Sequence, residues 1–449
     1  MKQGISYIYL IIIHIIIAFI MFAMPFLSKI YALVIPLVGF YIVVRNKNRN
    51  HEVILVSAYL VGVEVFLRMT GGNLNNEFVK MCVIIFMFLG MLYRNFAVSS
   101  LIYGLFLLLL IPGILVATDT VEINFDTDLK KALVFNLSGP LCLGIASFYM
   151  YKRKILLTDV QKILMIMGLP IISTVMYLFI FNPSIKDVVT GTQSNFETSG
   201  GFGPNQVSTI LGLGMFIFFS QMVLFPKSKK MIFINGIIFV FVSYRGLATF
   251  SRGGVITGVV MIVCLIFILY YFSNSAGKAK VGIVLGLLFL ASLAIWGYTS
   301  MQTRGLIEKR YANKDARGRE KGDRLGGREA IIGADYKLFL ENPITGVGAG
   351  MGKELRKDAL AQEVASHNEI TRMISEHGLF GIFGLLILFV TPFVLYINNR
   401  QHLYFLSFFV FWLLTINHAA MRIAAPAFIY SLCLLSVQIK NPQKTESLH

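Results

Sequence analysis

Charged residues are scarce in this chain of 449 residues. Only 14% of the residues are Asp, Glu, Lys or Arg, while 56% are hydrophobic. This balance excludes an ordinary soluble domain and indicates a membrane protein. Lys and Arg number 40 against 23 Asp and Glu, an excess that would suggest nucleic-acid binding in a soluble chain. Here the charges lie mostly between long apolar runs, so we expect no nucleic-acid partner.

Cysteines and the common catalytic motifs are also scarce or absent. The four cysteines, Cys82, Cys142, Cys264 and Cys433, lie in apolar segments without CxxC spacing, so they are interpreted as reduced packing residues. The sequence has no H-E-x-x-H motif, Walker loop or G-x-S-x-G elbow. We therefore expect no metal, no cofactor and no ATP-driven cycle, although a hydrolase triad is defined by geometry and stays open. The chemistry must then use a substrate that is already activated.

Apolar runs of about 17 to 25 residues, long enough to cross a hydrocarbon layer, recur along nearly the whole chain. The predicted fold is an all-α polytopic membrane protein with a bundle of about 12–14 transmembrane helices and one large helical periplasmic loop. The first run lacks a small-residue cleavage site and is interpreted as a retained span, and the last two could form one re-entrant pair. The runs begin near Ser6, Phe26, Val53, Val79, Ala97, Ala132, Ile163, Val207, Met231, Val255, Val281, Gly378, Leu403 and Met421.

The short loops alternate in charge, and this alternation predicts the orientation because Lys- and Arg-rich loops stay in the cytoplasm. The acidic or neutral connections at 118–128 and 182–206 are expected on the outer face. By this parity both termini are cytoplasmic and the longest polar stretch is periplasmic. The basic loops contain Arg45, Lys47, Arg49, Arg94, Lys152, Arg153, Lys154, Lys227, Lys229, Lys230, Lys278, Lys280 and Arg400.

The same pattern divides the chain into three parts. Residues 1–300 are predicted as an N-terminal transmembrane bundle, 301–377 as a large periplasmic loop with short helices, and 378–449 as C-terminal transmembrane helices with a cytoplasmic tail. Glycines in the loop at 346, 348, 350 and 352 are interpreted as a mobile turn, or alternatively as a cradle of exposed amides for an anion.

Two helices are expected within the loop. Arg328–Glu341 is predicted to lie across the membrane surface with Ile331, Ala334 and Leu338 on one side. The second begins at Ser366-His367-Asn368-Glu369, which fits the S-x-x-E capping box, and ends near Gly378.

His367 is the preferred candidate for acid–base chemistry. Imidazole titrates near neutral pH, and the predicted helix N-terminus favours the neutral form that accepts a proton. The alternative is an ordinary polar residue at a helix start. His14, His377 and His418 lack such a setting and are interpreted as packing or boundary residues.

Arginines near the outer boundary are the candidate anion ligands. Arg245 and Arg252 are seven residues apart and would share one face if that helix continued, and arginine forks match phosphate oxygens. The alternative for either is snorkelling to lipid headgroups. Ser251-Arg252-Gly253-Gly254 lets the backbone approach a ligand closely. Glu64 and Arg68, at i,i+4, are interpreted as an internal ion pair that could also touch substrate.

Several short motifs follow one another around the large loop, over about residues 200 to 395, and their order resembles that of the O-antigen ligase and O-antigen polymerase superfamily. One departure is Ile332, where many relatives carry tryptophan. The motifs are Gly203-Pro204-Asn205-Gln206, Ser251-Arg252-Gly253-Gly254, Arg328, Asn342-Pro343 with Gly346-x-Gly348, His367-Asn368 and Glu376-x-Gly378.

The resemblance implies a bacterial inner-membrane glycosyltransferase, independent of metal and nucleotide. Such an enzyme takes a glycan from undecaprenyl pyrophosphate and joins it to an acceptor hydroxyl, such as that of lipid A-core, on the periplasmic side. By the resemblance Arg252 and Arg328 engage the pyrophosphate and His367 activates the acceptor. Arg245 is a further candidate for the pyrophosphate because of its spacing from Arg252. The supporting candidates are Asn205, Ser251, Asn368 and Glu376.

Three functions stay open. A ligase is preferred, a polymerase of O-antigen or exopolysaccharide would use the same donor and residues, and a polysaccharide transporter or flippase would also have many spans with basic groups. Transporters often have interrupted spans with charges near the bilayer middle, whereas here the distinctive polar groups gather near the outer face. A detergent solution has no two compartments between which transport could occur. Glycan transfer by the purified protein in detergent would therefore argue against a transporter.

Overall fold

The computed structural model describes residues 2–123, 128–224, 228–322, 328–360, 366 and 368–439. These residues are mostly helical, with two short strands, which confirms the predicted all-α polytopic membrane protein. In this described part, nine helices are long and apolar enough to cross a membrane. Three shorter apolar helices accompany them at Tyr7–Ala23, Phe78–Tyr93 and Phe405–His418.

The described residues form nineteen α-helices and two short strands, with 3₁₀ turns at Val98–Ser100 and Glu197–Ser199. In chain order they are α1 (Lys2–Ala23), α2 (Leu27–Asn46), α3 (Glu52–Met69), α4 (Phe78–Tyr93), α5 (Leu101–Leu108), α6 (Ile111–Ile123), α7 (Leu129–Met150), β1 (Lys154–Leu156), α8 (Leu157–Phe181), α9 (Ile185–Val188), α10 (Pro204–Leu224), α11 (Lys229–Ala248), α12 (Arg252–Phe272), α13 (Ser275–Gln302), α14 (Leu306–Tyr311), α15 (Arg328–Glu341), α16 (Gly352–Leu360), α17 (Glu369–Asn398), α18 (Phe405–His418), α19 (Ala425–Leu432) and β2 (Ser436–Gln438).

The two ends of the bundle differ in character. The described residues between Thr303 and Asn368 lie at one end of the bundle, which we call the loop end. The opposite end, where β1 lies, we call the basic end. β2 pairs in parallel with β1, in the register Lys154 to Ser436, and so returns the chain to the basic end after α19. At 14 residues, α18 is roughly 21 Å long, so α18 and α19 are a short pair that rises toward the loop end and comes back.

α17 is two helical segments joined at a kink. Gly378, at φ 57° and ψ −137°, interrupts the helix at the predicted position. The glycine turn preceding α16 packs against this kink: Val347 N donates to Ser375 O at 3.0 Å and Leu379 N to Pro343 O at 2.8 Å. Residues 346–351 are buried. The turn is therefore neither mobile nor an open anion cradle, because its amides satisfy the backbone that the kink would otherwise leave unpaired.

α15 has the predicted bounds, and the side of the helix that was predicted to be apolar faces the protein. Ile331 and Asp335 are buried, while Ala334 and Leu338 are half-buried. Asp335 forms an ion pair with Arg356 of α16 and accepts a hydrogen bond from Thr371 Oγ1 of α17 at 2.8 Å. This buried pair joins the three helices at the loop end.

α13 contacts the bundle mainly near its loop end. Ile295 and Thr299 are its buried residues, and Trp296 packs edge-on against Tyr311 of α14. Toward the basic end α13 diverges from α11, leaving an apolar groove of about 940 Å³ lined by residues including Ile237 and Leu288. The helix is therefore packed most deeply at its loop end, while Val281, Val284 and Leu288 nearer the basic end are only partly buried.

α10 and α12 make the closest helix contact, through small residues. A Cβ at Gly254 would overlap the backbone of Ser208, and one at Gly212 would overlap Gly254. Ser208 Oγ also donates to Ser251 O at 2.8 Å. Small residues allow this approach in a membrane, where association depends on packing and hydrogen bonds more than on the hydrophobic effect.

We predict that Gly254→Ala destabilises the protein by about 1–3 kcal/mol, because the added methyl group forces the two backbones apart. The measurement is thermal unfolding in detergent. Gly282→Ala on α13 is the matched control, since no atom lies within 4 Å of the added Cβ. Equal stability of the two variants would contradict the close contact.

Candidate functional site at the loop end

The break between α11 and α12 positions Arg252. α11 ends at Ala248, Phe250 adopts φ +58°, and Ser251 is extended, so Arg252 is the first residue of α12. The helix therefore does not continue from Arg245 to Arg252, and the expected shared face does not exist. Ser251 Oγ donates to Asn205 Oδ1 at 2.8 Å, which fixes the start of α12 against α10.

Two further cations of the loop lie beside Arg252. Arg310 of α14 donates from Nε to Phe250 O at 2.9 Å. Lys321 is brought back to α14 by a small hairpin, in which its backbone N donates to Asn313 O at 3.0 Å. Sequence reasoning missed both residues because nothing in their spacing distinguishes them from the other charges of the loop.

The electrostatics of the neighbouring groups reflect this convergence. Burial lowers the pKa of Lys321, and the charges of Arg310 and Arg252 lower it further. Burial raises the pKa of Tyr311 to about 12, while Arg252 and Arg310 act in the opposite direction. The loop end therefore holds three cationic side chains near the N-terminus of α12, whose helix dipole adds positive potential.

A second polar group is centred on Arg68, which with Glu64 forms the predicted internal ion pair at 2.6 Å. Glu64 also accepts from Ala424 N at 2.7 Å. The Arg68 guanidinium reaches Gln206 Oε1 at 3.5 Å and the carbonyl of Arg422 at 3.2 Å. Arg68 therefore joins α3, α10 and the turn between α18 and α19.

The two groups are adjacent because consecutive residues of α10 serve them. Asn205 binds Ser251, and Gln206 binds Arg68. The ring of His418 lies directly against Gly253. We call Arg252, Arg310, Lys321 and Arg422 the cationic site; Arg68 lies beside it with its charge paired to Glu64.

Arg422 connects this site to the segment that contains His367. Its guanidinium lies 4.4 Å from the ring centroid of Phe135 and donates to Ser366 O at 3.3 Å. His367 itself lies outside the described residues. The backbone immediately before it is therefore held at Arg422.

The start of α17 differs from the predicted capping box. Asn368 is the N-cap, and its Oδ1 accepts from Ile370 N at 2.9 Å and Thr371 N at 3.3 Å. Glu369 forms an ion pair with Arg372 instead of reaching back to Ser366. The box fails because an Asn cap one residue later satisfies the same orphan amides.

Glu376 has an internal role in the structure. It is buried and accepts from Arg372 at 2.8 Å and from Gly350 N at 2.9 Å. These bonds tie the kinked helix to the glycine turn. Arg372 also donates to Asn136 O of α7 at 2.9 Å, so this network spans three elements.

Arg245 is not part of the cationic site. Its side chain is buried, donates to the carbonyls of Leu178 and Asn182, and lies 4.4 Å from the ring centroid of Phe179. It therefore satisfies the C-terminal end of α8. Arg328 begins α15 as predicted, and its side chain lies outside the described part.

The comparisons with known proteins concern the second half of the bundle. Residues 237–386 match the family model described as O-antigen ligase. The matched segment covers about a third of the chain and is similar to this family. This match confirms the predicted resemblance and supports a membrane glycosyltransferase of the O-antigen ligase and polymerase group. No curated protein matches the chain.

The O-antigen ligase segment includes Arg252, Arg310 and Lys321, whereas Arg68 and Arg422 lie outside it. In the part of the chain that the structure describes, no group of three or more His, Cys, Asp or Glu side chains is arranged to hold a metal ion.

We predict that Arg245→Gln lowers stability by about 2 kcal/mol, because charged hydrogen bonds to two buried carbonyls are lost. Transfer activity per folded molecule should stay within twofold. Thermal unfolding and activity are measured on the same preparation. A rise in the KM for the donor without a loss of stability would contradict the prediction and indicate that Arg245 binds substrate.

Arg310→Gln and Lys321→Gln should each weaken binding of inorganic pyrophosphate by about tenfold, because each removes one charged hydrogen-bond donor. Isothermal titration calorimetry in detergent provides the measurement. Arg317→Gln is the matched control, since Arg317 is exposed on the same hairpin. Equal losses in all three variants would indicate only a general effect of charge.

Proposed function

We propose that this protein transfers a glycan from undecaprenyl pyrophosphate to an acceptor hydroxyl, as a ligase of lipid A-core or a similar acceptor. The observation that carries the proposal is the convergence of Arg252, Arg310 and Lys321 at the N-terminus of α12 within the segment that matches the O-antigen ligase family. A cluster of three cations suits the binding of a diphosphate group at the edge of this site.

The leaving group explains the need for these cations. As the bond between the anomeric carbon and the pyrophosphate oxygen breaks, negative charge grows on the diphosphate. Guanidinium groups held in a poorly hydrated site stabilise this charge better than water does, since the effective dielectric constant is lower. Arg328, at the start of α15, is proposed to bind the diphosphate with a further guanidinium group.

His367 is proposed as the general base. It would accept the acceptor's hydroxyl proton while the acceptor oxygen forms a bond to the anomeric carbon, and polyprenyl pyrophosphate would leave. The contacts of the two neighbouring residues support this role: Arg422 donates a hydrogen bond to Ser366 O, and Asn368 caps α17. Asn205 and Ser251 support the start of α12, and Glu376 supports the glycine turn.

The loop end is proposed to face the periplasm, across a bacterial inner membrane. This orientation rests on the Lys- and Arg-rich turns at the opposite end, such as Arg45 to Arg49 and Lys152 to Lys154, which would stay in the cytoplasm together with both termini. A donor whose glycan has already crossed the membrane would then meet the cationic site.

Polymerisation is the second candidate, because the same donor site would serve when the acceptor is another lipid-linked repeat. The products discriminate between the two reactions. A ligase moves the glycan off undecaprenyl pyrophosphate onto the acceptor, whereas a polymerase leaves a lengthened glycan on it. Transport without chemistry would yield no new glycosidic bond in detergent.

We predict that His367→Ala lowers the rate of glycan transfer by roughly 10²- to 10⁴-fold, the usual contribution of a general base. Binding of the lipid donor and the unfolding temperature should stay unchanged. The assay is transfer in detergent with separated products. His51→Asn is the control, because His51 lies at the basic end with φ 61°, which Asn tolerates. Unchanged transfer by His367→Ala would remove this histidine as the base.

A further inference from the structure

A strained turn at the basic end connects α2 to α3. Lys47 and Asn48 both have φ 51°, and His51 has φ 61°. Non-glycine residues in the left-handed region cost free energy, so three of them within five positions require a local structure that holds them there. This turn is far from the residues proposed for transfer, which lie at the loop end.

Asn48 is the residue that holds the turn. Its side chain is fully buried, its Nδ2 donates to Tyr149 OH at 2.8 Å, and its Oδ1 accepts from Val53 N at 3.2 Å. The turn is thereby fixed to α7 and to the first turn of α3. The residues on either side of Asn48 are exposed.

The exposed residues of the turn surround a cavity of about 290 Å³. This volume corresponds to roughly ten water molecules, enough for a phosphodiester group. Within the described part of the chain, none of its three cations takes part in an ion pair. The cavity is lined by Arg45, Asn46, Lys47, Arg49 and Asn50.

Neighbouring cations and an aromatic ring extend this basic surface. Arg94 donates to Arg49 O at 2.6 Å, and Arg153 lies 3.9 Å from the ring centroid of Tyr149. Arg45 donates to Tyr41 OH at 3.2 Å, and Tyr41 is exposed on the side of α2 that faces lipid. Carboxylates are also present: Glu52 accepts from Asn50 at 3.0 Å, but it is buried beneath the turn.

We infer that the α2–α3 turn binds the phosphate headgroup of an anionic phospholipid. The cavity lies at the end of a helix that is largely exposed on its outer surface, and Tyr41, one helical turn before Arg45, is exposed on the same helix. Lipid headgroups are present at high local concentration at such a position. Anionic headgroups attract juxtamembrane cations. The buried Asn48 keeps the cations converged instead of dispersed in solvent.

The experiment compares variants in nanodiscs of phosphatidylcholine with a small fraction of phosphatidylglycerol, and native mass spectrometry counts the phosphatidylglycerol retained. Replacing Arg45, Lys47 and Arg49 by Gln together should lower its apparent affinity by at least tenfold. The charge-matched control, Lys278, Lys280 and Arg400 to Gln, changes three basic residues of the same end and should lower it by less than threefold.

Tyr149→Phe tests the geometry, because it removes the bond to Asn48 while leaving every charge in place. We expect an intermediate loss of affinity, with the unfolding temperature recorded to confirm folding. Equal losses in both triple variants, or no loss with Tyr149→Phe, would overturn the inference. Displacement of the lipid by millimolar inorganic phosphate would also overturn it, because the site would then be one for free anions.

Discussion

Bonds from arginine to main-chain carbonyls hold the loop end together. Arg68, Arg245, Arg310 and Arg422 each donate to at least one carbonyl at a helix end or in a turn. Irregular backbone near a membrane must find partners for its polar groups, and several helices here end or break in the same region. One guanidinium can satisfy carbonyls of two elements at once.

These bonds have an electrostatic consequence, because a carbonyl is neutral. A guanidinium paired with carboxylates, as Arg372 is with Glu369 and Glu376, contributes little net charge to its surroundings. The bond from Arg310 to Phe250 O does not itself cancel the guanidinium charge. The loop end can thus be well ordered and still present positive potential to an anion, with Arg252 and Lys321 adding to the same place.

The positions of the apolar helices could be predicted because hydrophobic length is a property of continuous sequence, and the predicted runs fall on observed helices. Their number was predicted less well: against about 12–14 predicted spans, the described residues contain nine helices long enough to cross a membrane and three shorter apolar ones. The break at 249–251 could not, since it depends on Asn205 of α10 and Arg310 of α14 contacting residues that are distant in the chain. The burial of the glycine turn depends in the same way on the kink at Gly378. Arg245 and Arg252 could not be distinguished by sequence. In the structure their roles differ because Arg245 binds carbonyls at the C-terminal end of α8.

The uneven packing of α13 along its length bears on how the protein fits bilayers of different thickness. This helix has 28 residues, roughly 42 Å of length, which exceeds the hydrocarbon thickness of about 30 Å. Because its fully buried residues lie in its loop-end turns and the turns near the basic end are only partly buried, α13 can tilt to match a thinner or thicker bilayer. Its junction with α14, and hence Arg310, would keep its position while the distant end moves.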